Sequence, residues 1–162
     1  MFRPRVIPLL LLHESGLVKT VKFNKRKYIG DPINAVKIFN DFRADELIFV
    51  DISATKNNKT ISLEFVKQVS EEAFMPFAVG GGIKTVKQAC DFIKNGAEKI
   101  ILDSNALLNP QLIEDCANEI GQQAVVVSID VKKNFFGNHK VYGRNGNTNS
   151  NYSPIFWSKK VE

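Results

Sequence analysis

The feature that most constrains this chain is an alternation, repeated along its length, between short apolar runs and helical patterns. Arg5 to Leu12 (RVIPLLLL) is almost continuously apolar and reads as a strand buried on both faces. Glu46–Asp51 (ELIFVD), Phe77–Val79, Lys99–Leu102 and Ala124–Asp130 (AVVVSID) read as four more strands. Helical patterns separate them. Asp31 caps the first, and Pro32 suits the first helical position because its missing N–H needs no partner there. Thr60–Val69 is the second, with Ile61, Phe65 and Val69 spaced by four. Thr85 caps the third, which stops at Asn95-Gly96. Asn109-Pro110 opens the fourth, which ends at Gly121, and Ser153-Pro154 begins a last helix. Two excursions interrupt the alternation. Leu17–Phe23 reads as an extended segment, and Lys132–Gly146 as a hairpin with turns at Gly137-Asn138 and Asn145-Gly146.

Strands alternating with helices imply parallel pairing through helical crossovers. An open doubly wound sheet and a (β/α)8 barrel both satisfy this. The first strand–helix turn lacks G-x-G-x-x-G, which weakens the dinucleotide-binding form of the open sheet. A barrel typically needs roughly 250 residues, against 162 here.

Composition narrows the function classes. With 44% hydrophobic and 24% charged residues the chain is neither disordered nor low in complexity. The net charge of +5 is scattered, and no RNA-binding sheet signature is present, so nucleic acid is not the expected partner. A phosphorylated small molecule is the better use of a local positive excess. Cys90 and Cys116 fall in separate helices without metal or C-x-x-C spacing and read as reduced thiols of a cytoplasmic protein. The apolar run Val6–Leu12 is too short to cross a bilayer and lacks a cleavage site, so no membrane association is expected. His13 and His139 have no partner at metal spacing, so neither a metal nor a cofactor is expected. Phe135-Phe136 and Ile155-Phe156-Trp157 read as packing.

In either architecture ligands bind at the carboxyl ends of the strands. Gly80-Gly81-Gly82 lies at one such end, where backbone N–H groups can approach an anion; the alternative is a tight turn that binds nothing. Asp103-Ser104-Asn105 follows the adjacent strand, and Ser104 can offer a hydroxyl to the same anion. Asp130 ends the fifth strand and suits general acid–base work, the alternative being a loop cap. Asp51 carries the same two readings. Lys19, in the first excursion, can reach over a bound anion.

These segments resemble the cyclase-subunit family of imidazole glycerol phosphate synthase, a (β/α)8 barrel. The resemblance rests on RVIP at Arg5, LVKTVKF around Lys19, GDP at Gly30, DELIFVDISA from Asp45, PFAVGGGI from Pro76, GAEKI from Gly96 and QAVVVSID from Gln123, in order and correctly spaced. It implies a barrel interrupted after about five strand–helix units, with residues 1–162 forming its N-terminal half, fifth strand and the start of the fifth helix. It further implies a glutaminase partner, ammonia delivered through the barrel, and a phosphorylated substrate converted to imidazole glycerol phosphate in histidine biosynthesis. Position by position, Asp130 resembles the fifth-strand catalytic aspartate. Gly81, Gly82, Asp103 and Ser104 match a phosphate site where the family usually has Asn and Thr in the last two places, and Lys19 matches a mobile-loop lysine. Arg5, Glu46 and Lys99 match three of four residues gating the ammonia entrance, and Glu98 matches a carboxylate offered to the glutaminase.

The other catalytic aspartate of that family falls at Leu11, which cannot transfer protons. This departure resembles a sub-branch of bacterial surface-sugar clusters, in which ammonia from a glutaminase turns an acetamido group into an amidine. A catalytically silent, phosphate-binding half-barrel is a further reading.

Overall fold

The computed structural model describes residues 3–21, 24–133, 137–143 and 146–162. In chain order the elements are β1 (Leu9–His13), β2 (Gly16–Val21), β3 (Asn24–Gly30), α1 (Pro32–Asp41), β4 (Leu47–Asp51), α2 (Leu63–Glu72), β5 (Phe77–Gly80), α3 (Val86–Lys94), β6 (Lys99–Leu102), α4 (Ser104–Leu108), α5 (Gln111–Ile120), β7 (Val125–Val127), β8 (Asp130–Lys133), β9 (His139–Gly143), β10 (Thr148–Asn149) and α6 (Pro154–Val161). A single 3-10 turn, Gln122–Ala124, leads into β7.

The main sheet has the order β3-β2-β1-β4-β5-β6-β7. From β1 to β7 the neighbours are parallel, with Leu11 opposite Val50, Val50 opposite Gly80, and Gly80 opposite Ile101. This sequential parallel order, with helical crossovers between the strands, is that of a (β/α)8 barrel rather than the reversing order of a doubly wound sheet. β2 and β3 add an antiparallel hairpin at the β1 edge, and β8, β9 and β10 form a separate antiparallel sheet.

The period of two in each strand decides where the core lies. Leu47, Phe49, Phe77, Val79, Ile100 and Leu102 pack against Val36, Val66, Val69, Ala89, Phe92, Leu112 and Cys116 from the helices. The intervening residues Leu11, Val50 and Ile101 look the other way, into the cavity described below. The first strand therefore differs from the expectation of a run from Arg5 buried on both faces. It begins at Leu9, which is 55% exposed and lines the cavity.

Local signals place the helices. Asp31 Oδ1 accepts from Asn34 N–H at 2.9 Å, and Pro32 follows. Thr85 and Gln88 form a reciprocal capping box at the start of α3. The second helix, expected over Thr60–Val69, is capped by Ser62, which accepts from Phe65 N–H, and so α2 runs Leu63–Glu72. Asn109 does not cap α5, which has no side-chain cap; the segment before it is instead the short α4. Ser153 caps α6 as expected. The fifth strand is shorter than AVVVSID suggested: β7 stops at Val127, and Asp130 begins β8 in the second sheet. That second sheet occupies the region expected to be a hairpin. Phe135-Phe136 and Asn145 lie outside the described residues. Cys90 and Cys116 are both free, and burial pushes the Cys116 thiol up to about 11. No helix among the described residues is long and apolar enough to cross a membrane, and no metal-ligating group of three or more side chains occurs among them.

Candidate functional site

The carboxyl ends of all five parallel strands, with the segment after β7, enclose one cavity of about 200 Å³. β1 contributes Leu9 and Leu11. β4 and its loop contribute Val50, Asp51 and Thr55, and the β5 loop Gly81 and Gly82. β6 and its loop contribute Ile101, Asp103, Ser104 and Asn105, and Ser128 and Asp130 close the set. Gly81, Gly82, Asp103, Ser104 and Asp130, named from the sequence, thus share one space. Lys19 does not line it. Lys19 is exposed on β2, and the alternation of that strand turns Thr20 inward instead.

The glycines are required by close backbone approach. Gly81 has φ +121, and a Cβ there would lie 2.6 Å from the Asp51 carbonyl oxygen. Gly82 has φ +70, and its Cβ would lie 1.9 Å from the Lys59 carbonyl oxygen. The Gly81 carbonyl accepts from Ile61 N–H. The Gly81 and Gly82 N–H groups have no backbone partner among the described residues, which leaves them able to meet an anion. Asn105 Nδ2 donates to the Ile83 carbonyl at 2.6 Å, tying the β6 loop to the glycine loop.

The three carboxylates of the cavity have different duties. Asp51 Oδ1 accepts from Ser53 N–H at 2.8 Å, Ser53 Oγ at 2.7 Å and Ala54 N–H at 3.2 Å. That is the loop-capping arrangement weighed as the alternative for Asp51. Asp103 Oδ2 accepts from Ser104 Oγ at 2.9 Å. Burial, reinforced by the charge of Asp130, pushes the Asp103 carboxyl up to about 6, against bonds from Ser104 that pull it down. Burial also raises the Asp130 carboxyl, with Lys132 acting in the opposite sense. The cation lining the cavity is Arg26 of β3, whose guanidinium donates to His13 Nε2 at 2.5 Å. Since a guanidinium cannot accept, the His13 proton sits on Nδ1 in this contact.

The raised Asp103 carboxyl has a stability consequence. Its folded pKa lies above the unfolded value of 3.8, so the folded form holds its proton more tightly. Stability from this group is full below the unfolded value and falls as pH rises through about 6. Asp103→Asn should therefore stabilise the chain by about 3 kcal/mol at pH 7.5, with most of the gain lost by pH 4. Urea denaturation at the two pH values measures this; a pH-independent difference would contradict it.

The four charged residues named for the opposite face also come together. Lys99 Nζ lies 2.7 Å from Glu46 Oε1 and 2.8 Å from Glu98 Oε1, while Arg5 Nη1 lies 3.8 Å from Glu46 Oε2. The Glu46 side chain is 6% exposed and that of Arg5 68%. Burial pulls the Lys99 ammonium down, but its bonds to Glu46 and Glu98 more than offset this, and its pKa is raised. This cluster occupies the amino ends of β4 and β6, opposite the cavity.

Sequence reasoning missed Arg26, Thr20 and Ser128. Arg26 sits in a polar strand with no alternation to betray it, and Ser128 was read within the strand but given no role.

A sequential parallel β/α sheet with a cavity at the carboxyl ends of its strands is the arrangement of the (β/α)8-barrel class. The chain belongs to the family described as "Histidine biosynthesis protein", which it matches over residues 5–162. It is 46% identical over 162 residues to a Pseudomonas aeruginosa protein provisionally named imidazole glycerol phosphate synthase subunit hisF2, covering 100% of this chain and 64% of that protein. It is 41% identical over 161 residues to imidazole glycerol phosphate synthase subunit HisF of Alkaliphilus metalliredigens, covering 99% and 64%. The corresponding subunit HisF of Streptococcus sanguinis is 39% identical over 161 residues, again with 99% and 64% covered. The chain thus spans about 64% of the length of these relatives.

Proposed function

We propose that this chain is the N-terminal part of an ammonia-using barrel subunit of the imidazole glycerol phosphate synthase type, with residues 1–162 forming an incomplete barrel. The observation that carries this reading is the common cavity of Asp130 and the Gly81-Gly82 loop at one end of the strands, with the Arg5–Glu46–Lys99–Glu98 cluster at the other. In this reading the glycine N–H groups and Ser104 hold a phosphate of the substrate. Asp130, its carboxyl raised by burial, exchanges a proton with the nitrogen or oxygen atoms that react. The charged cluster is the gate through which ammonia enters from a glutaminase partner, and Glu98 faces that partner. Lys19 closes over the substrate phosphate from the exposed side of the hairpin. Both free thiols suit a cytoplasmic setting.

Leu11 favours a second reading within the same class. It lines the cavity and offers no proton-transferring group opposite Asp130. An ammonia-dependent conversion of a sugar acetamido group to an amidine, as in the surface-sugar branch, fits that departure better than imidazole ring closure. The test is Leu11→Asp in the full-length protein, assayed for imidazole glycerol phosphate with ammonium salts replacing the glutaminase. A rise of about 100-fold or more, the scale of one acid–base group, supports a histidine cyclase that lacks one carboxylate. No gain, with the variant folded, supports the amidation branch.

A further inference from the structure

The cavity read above as a phosphate cradle has a charge balance that does not suit a phosphate. Asp51, Asp103 and Asp130 line it, against the single guanidinium of Arg26 among the described lining residues. Arg26 is itself engaged with His13. Asp51 is committed to Ser53 and Ala54, which hold its charge in the loop. Asp130 lies beside Lys132, which favours its ionised form. Among the described residues Asp103 is a carboxylate with no cation against it. It leads directly from β6 into the loop beside the glycines, and its carboxylate accepts from the Ser104 hydroxyl at 2.9 Å and from the Ser104 backbone N–H. Ser104 is only 4% exposed, which keeps that pair at the floor of the cavity.

We propose that Asp103 makes anion binding at the Gly81-Gly82 cradle proton-dependent: its ionised carboxylate excludes a phosphate or sulfate group, and its neutral carboxyl admits one and donates to it. With Oδ2 accepting from the Ser104 hydroxyl, a proton carried on Oδ1 is the one available for donation to the anion. Burial and the neighbouring Asp130 charge both act to keep that proton bound. The inference rests on the phosphate-cradle reading and adds the condition under which the cradle fills. An anion would be taken up with a proton, and released as the proton leaves.

Sulfate is the useful probe, because it stays a dianion from pH 5 to 8 and any pH dependence then comes from the protein. Calorimetric titration of the whole chain with sodium sulfate at pH 5 and pH 7.5 should show binding about 30-fold tighter at the lower pH, the ratio of neutral Asp103 for a carboxyl titrating near 6. Asp103→Asn should bind at both pH values with affinities within about twofold of each other. Asp130→Asn should move the midpoint of the wild-type dependence to lower pH, since it removes the charge that raises Asp103. Circular dichroism confirms that each variant is folded. A pH dependence that survives in Asp103→Asn would place the titrating group elsewhere and would overturn the proposal. Wild-type binding that is equally tight at both pH values would overturn it too. If Asp103→Asn binds sulfate at neither pH, the cradle reading itself fails and the proposal falls with it.

Discussion

Lys99→Met should lower the stability of this chain by about 3 kcal/mol, on the order of 10 °C in Tm for a chain of this size. The reason is what the substitution leaves behind. Glu46 is 5% exposed, and its nearest cation, at 2.7 Å, is Lys99. Arg5 stands at 3.8 Å on an exposed side chain and can replace little of that interaction. An ionised carboxylate held without its partner in a mostly buried place costs far more than the pair gains when intact. The double variant Glu46→Leu with Lys99→Met should therefore be markedly more stable than Lys99→Met alone, because it removes the stranded charge. Urea denaturation of the three proteins measures both effects. A single-variant loss under about 1 kcal/mol would mean that the pair behaves as an exposed surface bridge. The intact pair has a pH signature as well. The Lys99 pKa is raised above 10.5, so its stabilisation is complete at lower pH and is lost as pH climbs through the raised value.

Gly82→Ala should be comparably damaging, at about 3 kcal/mol, and for a purely steric reason. The new methyl group would fall 1.9 Å from the Lys59 carbonyl oxygen and 3.2 Å from Ala54 Cβ. The Lys59 segment cannot simply retreat, because Lys59 N–H is bonded to the Ala54 carbonyl at 2.9 Å. The φ of +70 adds strain of its own. Gly137→Ala is the natural control. Its φ is +79 but none of the described residues lies within 4 Å of the added carbon, so it should cost only about 1 kcal/mol. Thermal unfolding of the two variants separates backbone strain from collision. Equal losses would show that collision at Gly82 is relieved by a shift of the loop.

The sheet was legible because its periodicities are unambiguous. Leu47 and Phe49 alternate with Ile48 and Val50, and α1, α2, α3 and α6 each open with a residue whose side chain caps the helix, as Asp31 and Thr85 do. What escaped were elements held by distant partners. β3 (NKRKYIG) opens with four polar residues and shows no alternation, and it is a strand because β2 supplies its ladder. α4 is one short turn that forms where β6 runs into the cavity wall. AVVVSID reads as one strand, yet the chain leaves the main sheet after Val127, the last residue paired with β6 there. The candidate site followed the same division. Residues at strand ends were visible because topology brings those ends together. Arg26 was not, because only the hairpin pairing of β2 and β3 carries it to the rim. That Lys19 turns outward while Thr20 turns inward follows from the register of the same hairpin, which the sequence does not reveal.

The two charged regions of this protein sit on the same rods. Glu46 immediately precedes β4 and Asp51 closes it, while Lys99 opens β6 and Asp103 immediately follows it. Extended backbone advances about 3.3 Å per residue, so each strand sets a spacing of roughly 15 Å between the ion cluster and the cavity. Those strands are ladder-bonded to β5 between them and cannot stretch or slip independently. A ligand or partner pressing on one end therefore cannot alter that gauge length. It can act on the other end only by tilting β4 and β6 as a pair, or by moving the side chains and loops at their tips.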